Sequence, residues 1–92
     1  LGFDYMGLVS IIANNVITVQ DEIAKIPQVV SIFDVTGDSD CVAWIACLDR
    51  EEFSEVVKEI NKIPDVHKTS TSVILAINKD PFTYIPPILG EK

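Results

Sequence analysis

The chain has 92 residues, 48% of them hydrophobic and 23% charged, with a formal net charge of −7 at pH 7. That composition makes one small globular domain and excludes a disordered chain. Two cysteines exclude a disulfide scaffold, and the acidic balance argues against binding of nucleic acid by this chain alone.

The first predicted strand runs from Asp4 to Asn14. A helix follows from Asn15 to Lys25, because Val16, Val19, Ile23 and Ile26 recur at helical spacing. Asn15 is its expected N-cap. The second strand is Val29 to Val35, and Thr36-Gly37-Asp38-Ser39-Asp40 reads as a hairpin loop. The third strand, Cys41 to Leu48, is apolar on both faces, so neither face is expected to meet water. Its two cysteines are about 20 Å apart at strand spacing, too far to bond, and read as small buried apolar residues. Asp49 then caps a second helix, with Glu52 as capping-box partner and Phe53, Val56, Val57, Ile60 and Ile63 as the buried stripe. The last strand spans Val66 to Ile77. Residues 80–92 form a Pro-rich tail, too apolar for a free linker and expected to lie across a surface, its own or a partner's, with a frayed terminus as the alternative.

An internal repeat fixes the arrangement. Ile23-Ala-Lys-Ile-Pro-Gln-Val29 returns as Ile60-Asn-Lys-Ile-Pro-Asp-Val66, an offset of 37 residues with five of seven positions matched. In each copy proline ends a helix and a strand begins. Two strand-helix-strand halves give βαββαβ, an α+β ferredoxin-like sandwich: a four-stranded antiparallel sheet with two helices on one face. The other face is apolar in the first and third strands. It is expected to be covered by a second copy, giving a homodimer through the sheet face.

Catalysis has little support. His67 is the lone histidine and reads as a surface group. No paired His/Cys spacing suggests a metal, and no glycine-rich loop suggests a nucleotide cofactor. No cofactor and no enzymatic activity are expected. No apolar run reaches the roughly 18 residues that span a bilayer, and the basic start of a signal peptide is lacking, so no membrane partner and a cytoplasmic setting are expected. Two polar clusters remain. The 36–40 loop is either a plain turn or, through Asp38 and Asp40 beside Gly37, a set of acceptors for an ammonium group. Thr69-Ser70-Thr71-Ser72 is either an exposed edge or a row of donors for a carboxylate. Together they complement a free α-amino acid.

These residues carry a resemblance. Leu1-Gly2-Phe3, Ile26-Pro27-Gln28-Val29-Val30, the 36–40 loop, Ile63-Pro64-Asp65-Val66 and Thr69-Ser70-Thr71 lie in the order and at the spacing of the effector-binding (RAM) domain of Lrp/AsnC feast/famine transcription regulators. The chain resembles that domain over residues 1–79. The resemblance implies a sheet-face dimer, assembly of dimers into tetramers or octamers, and a small effector, usually an amino acid, bound between dimers. It implies ligand contacts from Gly37, Asp38 and Asp40, with Thr69, Thr71 and Ser72 from an adjoining subunit. Asp40 would hold the ammonium, and Asp40→Ala is expected to abolish binding while leaving fold and dimer intact. DNA would be bound through a helix-turn-helix domain that these 92 residues do not include; the start at Leu1 favours a fragment over a stand-alone domain. Asp65 stands where the family has glycine, a departure that bears on the turn geometry. Two rivals are an ACT-like amino-acid-binding module, which lacks the loop motif, and a dimeric α/β-barrel enzyme, which would need His67 as its base.

Overall fold

The computed structural model describes residues 5–79. The expected 80–92 tail and the Leu1-Gly2-Phe3 opening lie outside the described residues. The elements are β1 (Tyr5–Ala13), α1 (Val16–Ala24), β2 (Val29–Asp34), β3 (Cys41–Cys47), α2 (Arg50–Asn61) and β4 (Val66–Val73). All pairings are antiparallel, in the order β2-β3-β1-β4. This is the ferredoxin-like α+β fold.

Alternation along β1 and β3 sends Val9, Ile11, Ala13, Cys41, Ala43, Ile45 and Cys47 to one face. There they meet Val19, Ile23 and Ile26 after α1, and Phe53, Val56 and Ile60 of α2, in a single core. Both helices therefore cover the same face. Val16, Val57 and Ile63, also expected in the stripes, are partly buried at its margin. Both cysteines are buried free thiols, as their spacing implies. Burial pushes the Cys41 thiol up and, with Glu52 and Asp49 adding to it, the Cys47 thiol up to about 11.

The repeat is reproduced bond for bond. Ile26 N–H donates to the Ile23 carbonyl at 3.0 Å, and Ile63 N–H to that of Ile60 at 3.1 Å. Val29 N–H donates to the Ile26 carbonyl at 3.1 Å, and Val66 N–H to that of Ile63 at 3.2 Å. Each helix thus turns into its strand by the same two bonds, with proline supplying the stop.

Three boundaries differ from expectation. Asn15 does not cap α1: it adopts a left-handed backbone (φ 47°) and makes no side-chain cap bond. Its amide instead donates to Asp65 Oδ2 at 3.0 Å. Asp65 is itself left-handed (φ 75°), so the turn keeps the shape that a glycine would favour. Its carbonyl accepts from Asn14 N–H at 2.9 Å. The capping box at α2 forms with one shift: Asp49 Oδ1 accepts from Glu52 N–H at 2.9 Å, while Glu52 Oε1 accepts from Leu48 N–H, one residue earlier than the usual partner. Finally, β4 stops at Val73 rather than Ile77. Ile74 N–H still reaches the Met6 carbonyl at 2.8 Å, but the register then arrives at the described end of β1, and Leu75 is 94% exposed.

Gly7 is fixed by packing. A Cβ there would lie 2.6 Å from Phe53 Cζ and 2.7 Å from the Ser72 carbonyl oxygen. The ring can shift but the paired strand cannot, so Gly7→Ala should lower stability by about 1–3 kcal/mol. Urea denaturation of the two chains measures this, with an unchanged midpoint as the contrary result.

Candidate functional site

The 36–40 loop is pinned over one end of the sheet. Asp40 N–H donates to the Ile11 carbonyl at 2.9 Å, and Asp40 Oδ2 accepts from Ala13 N–H at 2.9 Å. Val35 N–H closes the loop base on the Asp40 carbonyl at 3.4 Å. At the loop's outer turn Gly37 adopts φ 105°, with open space where a Cβ would stand. Asp38 is exposed beside it.

The β4 residues expected to join the loop divide between two faces. Thr69 lies opposite Ile11 and Thr71 opposite Val9, on the helix side. Thr69 Oγ1 donates to Asn61 Oδ1 at the end of α2, at 3.1 Å. Ser72 lies opposite Leu8, on the open face. Thr71 and Ser72 are also displaced along β4, away from the loop. Within one subunit, then, Asp38 and Thr69 are brought to one cleft, and Gly37, Asp40, Thr71 and Ser72 are not.

That cleft has a volume of about 230 Å³. It is lined by Asp38 and Ser39 of the loop, Ser10 and Ile12 of β1, and Lys68, Thr69 and Ser70 of β4. Nothing in the linear sequence singles out Lys68, Ser10 or Ser70. Only the pairing register, Ser10↔Ser70 and Ile12↔Lys68, shows that they share a face. A second groove, of about 390 Å³, lies between the helix ends. Glu22, Lys25 and Ile26 face their repeat counterparts Glu59, Lys62 and Ile63 there. Lys25 is already paired with Glu22 at 2.9 Å.

Chemically the cleft offers one cation, one carboxylate and hydroxyls. That suits binding. His67 is exposed on β4, and among the described residues no group of His, Cys, Asp or Glu converges as a metal site. Both thiols are buried and pushed up, so neither supplies a thiolate at neutral pH. No described helix is long and apolar enough to cross a membrane.

Asp40 corrects one expectation. Its carboxylate is a structural acceptor for the end of β1, so removing it does not leave the fold untouched. Asp40→Ala should cost about 1–2 kcal/mol by orphaning the Ala13 N–H, whereas Asp40→Asn keeps an acceptor and should cost less. Unfolding midpoints of the two variants give the comparison; equal midpoints would contradict the anchoring role.

Known proteins place this geometry. The family described as the Lrp/AsnC ligand binding domain matches residues 8–83, four residues into the expected tail. An uncharacterized HTH-type transcriptional regulator of Pyrococcus horikoshii, PH1692, is 32% identical over 88 residues, 94% of this chain and 60% of that protein. The HTH-type transcriptional regulator FL11 of the same organism is 32% identical over 82 residues, 87% of this chain and 54% of that protein. The chain thus spans little more than half the length of these regulators. The crystal structure of TTHA0845 from Thermus thermophilus superposes with a TM-score of 0.77 at 30% identity, covering 83% of this chain and 99% of that one. A Neisseria meningitidis transcriptional regulator, NMB0573, solved as a complex with L-methionine, shares the fold at 20% identity and a TM-score of 0.79, over 92% of this chain and 58% of that one. Loop, fold and relatives agree, and the chain belongs to the Lrp/AsnC ligand binding domain family.

Proposed function

We propose that this domain, residues 1–79 with the 80–92 tail behind it, is the effector-binding and assembly module of a cytoplasmic transcription regulator. Its effector is a free amino acid, bound where dimers meet. The observation that carries the reading is the Thr36–Asp40 loop, held over an open cleft by the Asp40 bonds to β1. The bound L-methionine of the Neisseria meningitidis protein supports the ligand class. Gly37, Asp38 and Asp40 serve one subunit's share of the site, and Thr69, Thr71 and Ser72 of an adjoining subunit the rest. The split of the hydroxyls between two faces favours a site shared by several subunits over one built by a single chain. With a net charge of −7, this chain leaves DNA contact to another part of the regulator.

The assembly half of the reading rests on the open sheet face. Leu8 and Phe33 are 37% and 45% exposed there, beside half-buried Val42 and Trp44. A second copy on this patch removes the apolar surface from water. Ligand that favours one assembly state shifts the population toward it, and so signals its presence.

Two measurements test this. Thermal unfolding against each of the twenty amino acids at millimolar concentration should show a shift for one or a few related ligands. At about 100 times Kd the gain is roughly 2.7 kcal/mol, several degrees at this size; a flat panel overturns the ligand half. Sedimentation equilibrium should find a dimer that Phe33→Asp splits into monomers. A monomeric parent chain, or a dimer indifferent to that change, overturns the sheet-face half.

A further inference from the structure

We infer that the uncharged C-terminal segment, residues 81–90, folds back on its own domain and covers an apolar shelf formed by Tyr5, Val73 and Leu75 at one end of the sheet. This goes beyond the effector reading above and does not depend on it.

Three observations carry it. The first is the shelf. Val73 lies opposite Gly7, on the face where a Gly7 Cβ would meet Phe53. The half-buried Tyr5 ring packs against Phe53 on that same face, with centroids 5.4 Å apart. Ile74 N–H bonds the Met6 carbonyl at 2.8 Å, which carries the backbone past Val73 and, by alternation, sets Leu75 on Val73's side. Yet Val73 is 39% and Leu75 94% exposed among the described residues. Neighbouring large apolar side chains left in water mark a contact surface.

The second is access. The second copy proposed above sits on Leu8, Phe33 and Trp44, which lie on the opposite face of the sheet. It does not reach a shelf on the helix side. The chain itself does. The backbone bends at Asn78 and Lys79, and Asp80-Pro81, a turn-favouring pair, comes next. With Phe82 returning beside Leu75, residues 76–81 form a connection of the usual short length, roughly 2–6 residues.

The third is the chemistry of the segment. In a chain that is 23% charged, residues 81–90 carry no charge and hold Phe82, Tyr84, Ile85, Ile88 and Leu89. Tyr5, Val73 and Leu75 are uncharged too, so neither side must strip water from an ion to make contact. Pro81, Pro86 and Pro87 restrict the undocked segment, which lowers the entropy lost on docking. Attachment to β4 makes the contact intramolecular, at an effective concentration on the order of millimolar.

The test uses the full chain. At its exposure, Leu75→Ser would leave stability unchanged if the shelf were bare; it should instead lower the unfolding midpoint by several degrees. Phe82→Ser with Tyr84→Ser should do the same, and adding Leu75→Ser to that pair should lower the midpoint little further. An unchanged midpoint in Leu75→Ser, or strictly additive losses, overturns the contact. Both native thiols are buried, so a nitroxide placed through Glu91→Cys marks one position. It should broaden the amide signals of Gly7 and Phe53 and spare those of Asn14 and Asp38 at the other end of the sheet. Equal signals at both ends overturn the placement. In a mixture of nitroxide chains with isotope-labelled chains that lack the nitroxide, the labelled amides should stay sharp. Broadening there gives the shelf to a second copy's tail and overturns the assignment to the same chain.

Discussion

Everything in this domain depends on the pairing of β1, a central strand with one helix-covered face, which joins β3 to β4. β1 bonds β3 along one edge and β4 along the other. Its alternation sends Val9, Ile11 and Ala13 into the core and Leu8, Ser10 and Ile12 to the open face. A slip of one residue would invert both sets. It would bury Ser10 without a partner and expose a run of branched apolar side chains. Val9, Ile11 and their β3 neighbours are fully buried, so the core enforces the register and the register builds the cleft. Gly7 applies the same lock from steric contact, since only a residue without Cβ lets β4 and Phe53 both approach.

The repeat explains why the two halves join without a long connection. Each helix passes into its strand through a matched Ile-Pro turn. The halves differ where they touch. Asn15 and Asp65 are both left-handed non-glycine residues, a conformation that costs roughly 1–2 kcal/mol each. The Asn15 amide bonds the Asp65 carboxylate, and the Asp65 carbonyl takes the Asn14 N–H. Asparagine and aspartate tolerate this backbone better than other side-chain-bearing residues. The aspartate that stands in the family's glycine position therefore keeps the turn and adds a side-chain bond across the domain.

Much of this is legible in the residues. The seven-residue repeat, the helical stripes and the Asp49–Glu52 box all act locally, through spacings that a linear reading can measure. Asn15 misleads because it precedes an amphipathic run, the usual place for a cap, while its actual partner lies 50 residues away. The end of β4 misleads because Val73 to Ile77 is apolar throughout, yet pairing with β1 stops at Gly7↔Val73 and Leu75 is exposed. Lys68 escapes notice for a similar reason: on the chain it is one lysine between His67 and Thr69, and only its pairing opposite Ile12 shows that it lines the cleft with Asp38.

The open face is not uniform, and that bears on how ligand and assembly are linked. Its β2–β3 half is apolar, with Phe33, Val42 and Trp44; its β4 half is polar, with Lys68, Ser70 and Ser72. A second copy seated on the apolar half would lie beside the polar half. Burial there raises the strength of the charge-assisted bonds to a zwitterion, because less water competes for them. By linkage the reverse holds in equal measure: a ligand that binds better beside the partner must tighten the dimer by the same factor. Under the proposed function the polar half would contact the amino acid and the apolar half the second copy, with β1, shared by both, setting their spacing.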